Sequence, residues 1–146
     1  MTVRKKGRFW YADSQPEIRD VLVGYSTKNG YPATHFKDAT CVCGGKLFKL
    51  SLDDDEGAAV RTCPACGHEH PVGDSEEYLE EATLGECDCL CGGRVFEITV
   101  GVALHEDIED VRWIYIGCRC PECGITGSYG DWKNEYPGYQ ELLDHV

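Results

Sequence analysis

The chain has 146 residues, room for one compact domain or two small ones and too few for a large multidomain enzyme. Leu, Ile, Val and Phe supply only 31 of them, so apolar burial alone leaves the fold marginal, and ten cysteines are the obvious supplement. The net charge of −12 is uneven: residues 1–49 carry nine Lys or Arg against four acids, and residues 50–146 carry five against 22, which disfavours sequence-independent nucleic-acid binding by the acidic body.

The chain opens basic, MTVRKKGRFW, as a secretory signal does, but no apolar run follows and no stretch is long and apolar enough to span a membrane. A cytoplasmic protein with no membrane partner is expected. In that reducing compartment stable disulfides are rare, so closely spaced cysteines point to metal ligation or redox chemistry. Arg4, Lys5, Lys6 and Arg8 precede Phe9, Trp10 and Tyr11, a mixture able to grip single-stranded nucleic acid. The favoured reading is plainer: a frayed basic terminus followed by an edge strand whose aromatics cover a neighbouring hairpin. Ser14, Pro16 and Glu17 mark a helix start, and Ile18, Val21 and Leu22 at helical spacing predict a short helix over 16–23, with a strand ending at Tyr25 as the alternative. Asn29-Gly30 and Tyr31-Pro32 then signal a turn.

From here the chain repeats itself. Cys41-Val-Cys43-Gly-Gly-Lys-Leu-Phe is matched by Cys89-Leu-Cys91-Gly-Gly-Arg-Val-Phe, and Cys63-Pro-Ala-Cys66-Gly67 by Cys120-Pro-Glu-Cys123-Gly124. Gly73-Asp74 falls on Gly130-Asp131 without a gap. Between the cysteine pairs, Phe48, Leu50 and Leu52 alternate with polar residues, as do Phe96, Ile98, Val100, Val102 and Leu104 with Glu97 and Thr99 near the start, the period of a half-buried strand. Each strand meets an acidic turn, Asp53–Gly57 or Glu106–Asp110, and returns. Each copy is therefore predicted to be a hairpin with cysteines at its base. Residues 139–146 predict a helical turn or two with Leu142 and Leu143 inward.

Two cysteine pairs joined by a hairpin supply the four thiolates of a tetrahedral Zn²⁺ site without a preformed core. The two copies resemble the zinc-ribbon and rubredoxin-like knuckle group, in which a Cys-Pro-x-Cys-Gly knuckle meets a second knuckle across a hairpin. They depart from it in one respect, since the first knuckle of each copy is Cys-x-Cys where the group has Cys-x-x-Cys, which demands a tighter turn. The expected ligands are Cys41, Cys43, Cys63 and Cys66 in one site and Cys89, Cys91, Cys120 and Cys123 in the other, holding two Zn²⁺ ions, with Fe less favoured. Cys87 and Cys118 have no cysteine counterpart in copy one. Each lies two residues before an expected ligand, and they are expected to be neighbours: inert thiols, a substitute ligand pair, or a redox-labile disulfide. His68 and His70 are expected to face solvent.

The resulting expectation is a small, mainly β, metal-stabilised protein: a basic N-terminal segment (1–36) packing on the ribbons, zinc ribbon 1 (37–84), and zinc ribbon 2 with a C-terminal segment (85–146). Closed four-cysteine sites leave no open coordination position, and no phosphate loop, nucleophile elbow or His-Glu-x-x-His motif is present, so no enzyme is expected. The expected role is binding another protein, one that is basic, as an adaptor or acidic inhibitor. The alternatives are a nucleic-acid- or transcription-associated ribbon acting through residues 4–11, and a rubredoxin-like electron carrier. The acidic tips look similar to those of transcript-cleavage factors, where an acidic pair helps hold Mg²⁺, but solvated turns are the favoured reading of Asp53–Glu56 and Glu106–Asp110.

Overall fold

The computed structural model describes residues 3–146; Met1 and Thr2 of the expected N-terminal segment lie outside the described residues. Short apolar runs set apart by glycine and acidic turns produce mostly strands. In chain order these are β1 (Arg4–Lys6), β2 (Phe9–Tyr11), α1 (Ile18–Asn29), β3 (His35–Asp38), β4 (Lys49–Asp53), β5 (Ala58–Thr62), β6 (Glu69–Pro71), β7 (Gly85–Glu86), β8 (Glu97–Leu104), β9 (Val111–Arg119), β10 (Ile125–Lys133) and α2 (Tyr139–Asp144). They build a six-stranded sheet, β1-β2-β10-β9-β8-β3, and a four-stranded sheet, β6-β5-β4-β7. The expected small, mainly β architecture is what forms.

Both predicted hairpins are present, and their registers repeat. Lys49 opposes Thr62 in copy one as Glu97 opposes Arg119 in copy two, and Leu50 opposes Arg61 as Ile98 opposes Cys118. The copies then lock together. Phe48 N–H donates to the Phe96 carbonyl (2.9 Å) and Phe96 N–H to the Phe48 carbonyl (2.8 Å), so equivalent residues face one another as a local twofold axis requires. Around that point the lead-in strands are exchanged. β3, ahead of the first knuckle, pairs with β8 of copy two, and β7, ahead of the third, pairs with β4 of copy one. Ala39 N–H to the Ile98 carbonyl (2.9 Å) and Cys87 N–H to the Leu50 carbonyl (2.8 Å) are again equivalent bonds. One apolar cluster consequently draws on both copies, with Phe48, Leu50, Phe96, Ile98, Ile114 and Ile116 fully buried.

The helix forms but extends past the predicted residue 23 to Asn29, ending where the Gly30 N–H bonds the Thr27 carbonyl (3.2 Å). Gly24, Ser26 and Thr27 are weak helix formers, so packing and not propensity carries it. Ile18 and Leu22 are fully buried against Gly117 of β9, where a Cβ would stand 2.7 Å from Ile18 Cγ2. Residues 4–6 do not fray: they form the outer strand of a β1–β2 hairpin that continues the large sheet through Trp10 and Thr126. Its aromatics cover less than expected, since Phe9 and Trp10 stay exposed. α2 forms as predicted, with Leu142 and Leu143 buried. Among the described residues, no helix is long and apolar enough to cross a membrane.

Candidate metal centres

Each hairpin carries its cysteines where strand becomes turn, so the antiparallel pairing delivers the knuckles to a common point. The four Sγ atoms of Cys41, Cys43, Cys63 and Cys66 lie within 4.8 Å of one another, and so do those of Cys89, Cys91, Cys120 and Cys123. These two sets of four could each hold a metal ion. Within them Cys41–Cys66 and Cys43–Cys63 are 3.5 and 3.7 Å apart, Cys89–Cys123 and Cys91–Cys120 3.4 and 3.6 Å. A disulfide would need about 2.05 Å. Four sulfurs around Zn²⁺ at about 2.3 Å in a tetrahedron lie about 3.8 Å apart, which is close to the spacing observed. The donor set therefore fits a four-coordinate, sulfur-ligated ion.

The two knuckle types solve the approach differently. In Cys63-Pro-Ala-Cys66 the Gly67 N–H reaches back four residues to the Cys63 carbonyl (2.8 Å), and Cys63 N–H bonds the His68 carbonyl (2.9 Å). In Cys41-Val-Cys43 the closure is one residue shorter: Gly44 N–H bonds the Cys41 carbonyl and Cys41 N–H the Gly45 carbonyl, both 2.8 Å. Both types close on a left-handed glycine, Gly44 (φ 91°) and Gly92 (94°) after the shorter spacer and Gly67 (78°) and Gly124 (85°) after the longer, a conformation with no steric penalty for glycine. The middle side chains, Val42 and Leu90, face solvent. Backbone N–H groups turned to sulfur favour thiolate. Those of Cys66 and then Ala65, working against burial, bring Cys63 down to about 7, and that of Gly93, ahead of a hydrogen bond from Cys120, lowers Cys91.

Arg61 was not singled out by the sequence, and it is the main electrostatic feature of the first centre. It is 5% exposed, its guanidinium lies 4.5 Å over the Phe48 ring, and Nε and Nη2 donate to the main-chain oxygen of Val146 (3.2 and 2.8 Å). The Thr40 carbonyl stands 3.5 Å from Nη2, while Nη1 is buried with no partner of its own. Burial works against its charge, and Cys41 and Cys63 work in favour of it, Cys41 within hydrogen-bonding reach. A buried guanidinium with an unpartnered nitrogen, its charge favoured by Cys41 and Cys63, is what a negatively charged thiolate centre would satisfy. The repeat held the only signal for it: Arg61 occupies the position that Cys118 fills in copy two.

Cys87 and Cys118 stand outside both sets of four. Both are free thiols, Cys118 buried and Cys87 half-buried. Burial, then the charge of Cys87, raises Cys118 well above the usual thiol range. Burial, followed by Asp54, Asp88 and Glu86, pushes Cys87 up to about 11, so both are neutral at physiological pH. His68 is exposed as expected; His70 is half-buried and donates from Nε2 to the His145 carbonyl (2.6 Å). At the tips, Asp53 accepts from Asp55, Glu56 and Thr83 N–H groups and Asp110 from that of Gly138. These two acids brace turns, and the tips form no third metal-binding group among the described residues.

No family model matches the chain, and no curated protein and no solved structure matches it.

Proposed function

We propose that each set of four cysteines binds one Zn²⁺ and that the protein is a non-catalytic interaction module whose acidic surface receives a basic protein partner. The observation that carries the metal half is the closure of eight sulfurs into two sets at tetrahedral spacing. Zinc is the reading for a redox-inert structural ion held by four thiolates, and such a site has no position open to substrate. The partner half is supported by charge. Residues 50–146 carry a net −17, and each four-thiolate site adds −2 when loaded, which favours a basic surface and steers it from a distance. Elemental analysis of protein purified without chelator tests the first half: two zinc equivalents are expected, and all ten cysteines should titrate as free thiols once the chain is unfolded and the metal chelated. Iron would make the protein an electron carrier instead. For the second half, cross-linking in the native cell should recover a protein of basic pI whose capture fails at high salt; recovery of acidic or neutral partners alone overturns it.

A second reading has one observation in its favour. Arg8, Phe9 and Trp10 of the N-terminal hairpin line an apolar groove of about 420 Å³ together with Asp20, Tyr25 and Lys28 of α1, with Gly24 and Gly127 also in its wall. Neither glycine is required by the backbone, and a Cβ on either would meet open space. Cations and exposed rings around such a groove suit single-stranded nucleic acid. Oligothymidylate binding that falls steeply with salt and is lost in Gly127→Leu would establish it; no binding at low salt removes it.

A further inference from the structure

The two centres look alike in their ligands and differ in what surrounds them, and the repeat makes the comparison direct. In register, Arg61 corresponds to Cys118, each two residues before the second knuckle and each buried. We infer that the centres are inequivalent: Arg61 locks the metal of the Cys41/Cys43/Cys63/Cys66 centre by offsetting its charge, and the Cys89/Cys91/Cys120/Cys123 centre, with Cys118 in that place, is the one that exchanges its metal. This rests on the metal reading above.

The sign of the effect follows from the charge change on loading. Four thiols are neutral, whereas four thiolates around a divalent ion carry −2, so a nearby cation favours the loaded state and nearby carboxylates oppose it. At the first centre the cation stands beside Cys41 and Cys63, fixed in place by the main-chain oxygen of Val146 and the Phe48 ring. Around the second centre the cations are engaged elsewhere. Arg119 pairs with Glu97 and donates to the Ala12 carbonyl, and Arg94 pairs on the surface with Asp88 (3.5 Å). The carboxylate of Glu122, within the second knuckle, lies so close to Gly93 that a Cβ there would stand 2.6 Å from Oε2. Cys118 places no guanidinium there. The first centre thus has a buried cation beside its sulfurs, and the second has Cys118 in that place and a carboxylate against Gly93.

The test uses the full chain loaded with Cd²⁺, whose two bound-metal NMR resonances are assigned through coupling to the cysteine β-protons. On addition of excess EDTA the resonance of the Cys89/Cys91/Cys120/Cys123 centre should disappear first, at least about tenfold faster than the other. Arg61→Met should accelerate loss from the first centre by about the same factor and leave the second unchanged, while Arg61→Lys, which keeps the charge, should fall between. Simultaneous loss, or loss of the first centre before the second, overturns the inference. Should Arg61→Met fail to fold, the order of release in the unaltered protein decides alone. If no cadmium resonance appears, the metal reading itself has failed, and that result is distinct from equal release.

Discussion

Gly45 lies against the sulfur of Cys63: a Cβ on it would stand 3.3 Å from that Sγ, and at the equivalent Gly93 a Cβ would stand 3.1 Å from Cys120 Sγ as well as 2.6 Å from Glu122 Oε2. The second glycine of each Cys-x-Cys-Gly-Gly motif is therefore the space into which the opposite knuckle fits. Gly93→Ala should cost about 1–3 kcal/mol, because it displaces a ligand sulfur, and Gly45→Ala should cost less. Chemical denaturation of the metal-loaded variants measures both.

Removal of one sulfur separates ligands from bystanders. Cys63→Ser or Cys120→Ser should release about one metal equivalent and destabilise the protein severely, since metal binding in such modules supplies folding energy on the order of 10 kcal/mol. Cys87→Ser should leave two equivalents bound. Elemental analysis of the three variants is the check, and loss of an equivalent in Cys87→Ser would reassign the second centre.

Phe96 is fully buried at the point where the copies meet. Phe96→Ala should cost about 3–5 kcal/mol. Because its neighbours come from both copies, unfolding should stay a single transition, seen alike by circular dichroism and by metal release. A first transition confined to copy two would contradict the shared core.

Tyr25 donates to Asp131 (2.7 Å), and burial followed by that hydrogen bond and the Asp131 charge raises its hydroxyl to about 12. In the unfolded chain a tyrosine ionises near 10, so between about pH 10 and 12 the unfolded state loses a proton that the folded state retains, and stability falls as pH rises. Tyr25→Phe should flatten this part of the stability profile. Denaturation midpoints at several alkaline pH values would show it, and an unchanged slope would remove Tyr25 as a contributor.

The hairpins and the cysteine grouping were legible in the sequence because both are periodic: alternation marks Phe96 to Leu104, and Cys, Gly and Phe recur in register. The exchange of β3 and β7 was not legible. His35–Asp38 is four residues long and Gly85–Glu86 two, too short for any alternation, and what holds them is backbone pairing with the opposite copy. α1 was read too short because its second half is made of weak helix formers held by Gly117 and the sheet. Arg61 was not legible because a charged residue in a strand is ordinarily exposed, and what permits its burial, the oxygens of Val146 and Thr40, the Phe48 ring and the nearby sulfurs, comes from distant parts of the chain.

The mutual bonding of Phe48 and Phe96, with equivalent strands traded on either side, is the geometry of an isologous homodimer interface written within one polypeptide. A chain carrying a single copy would present the same unpaired edge and could complete it only with a second molecule. Joining the two halves covalently frees them to diverge, and they have done so: one half has a buried arginine, the other a spare thiol pair and a longer hairpin.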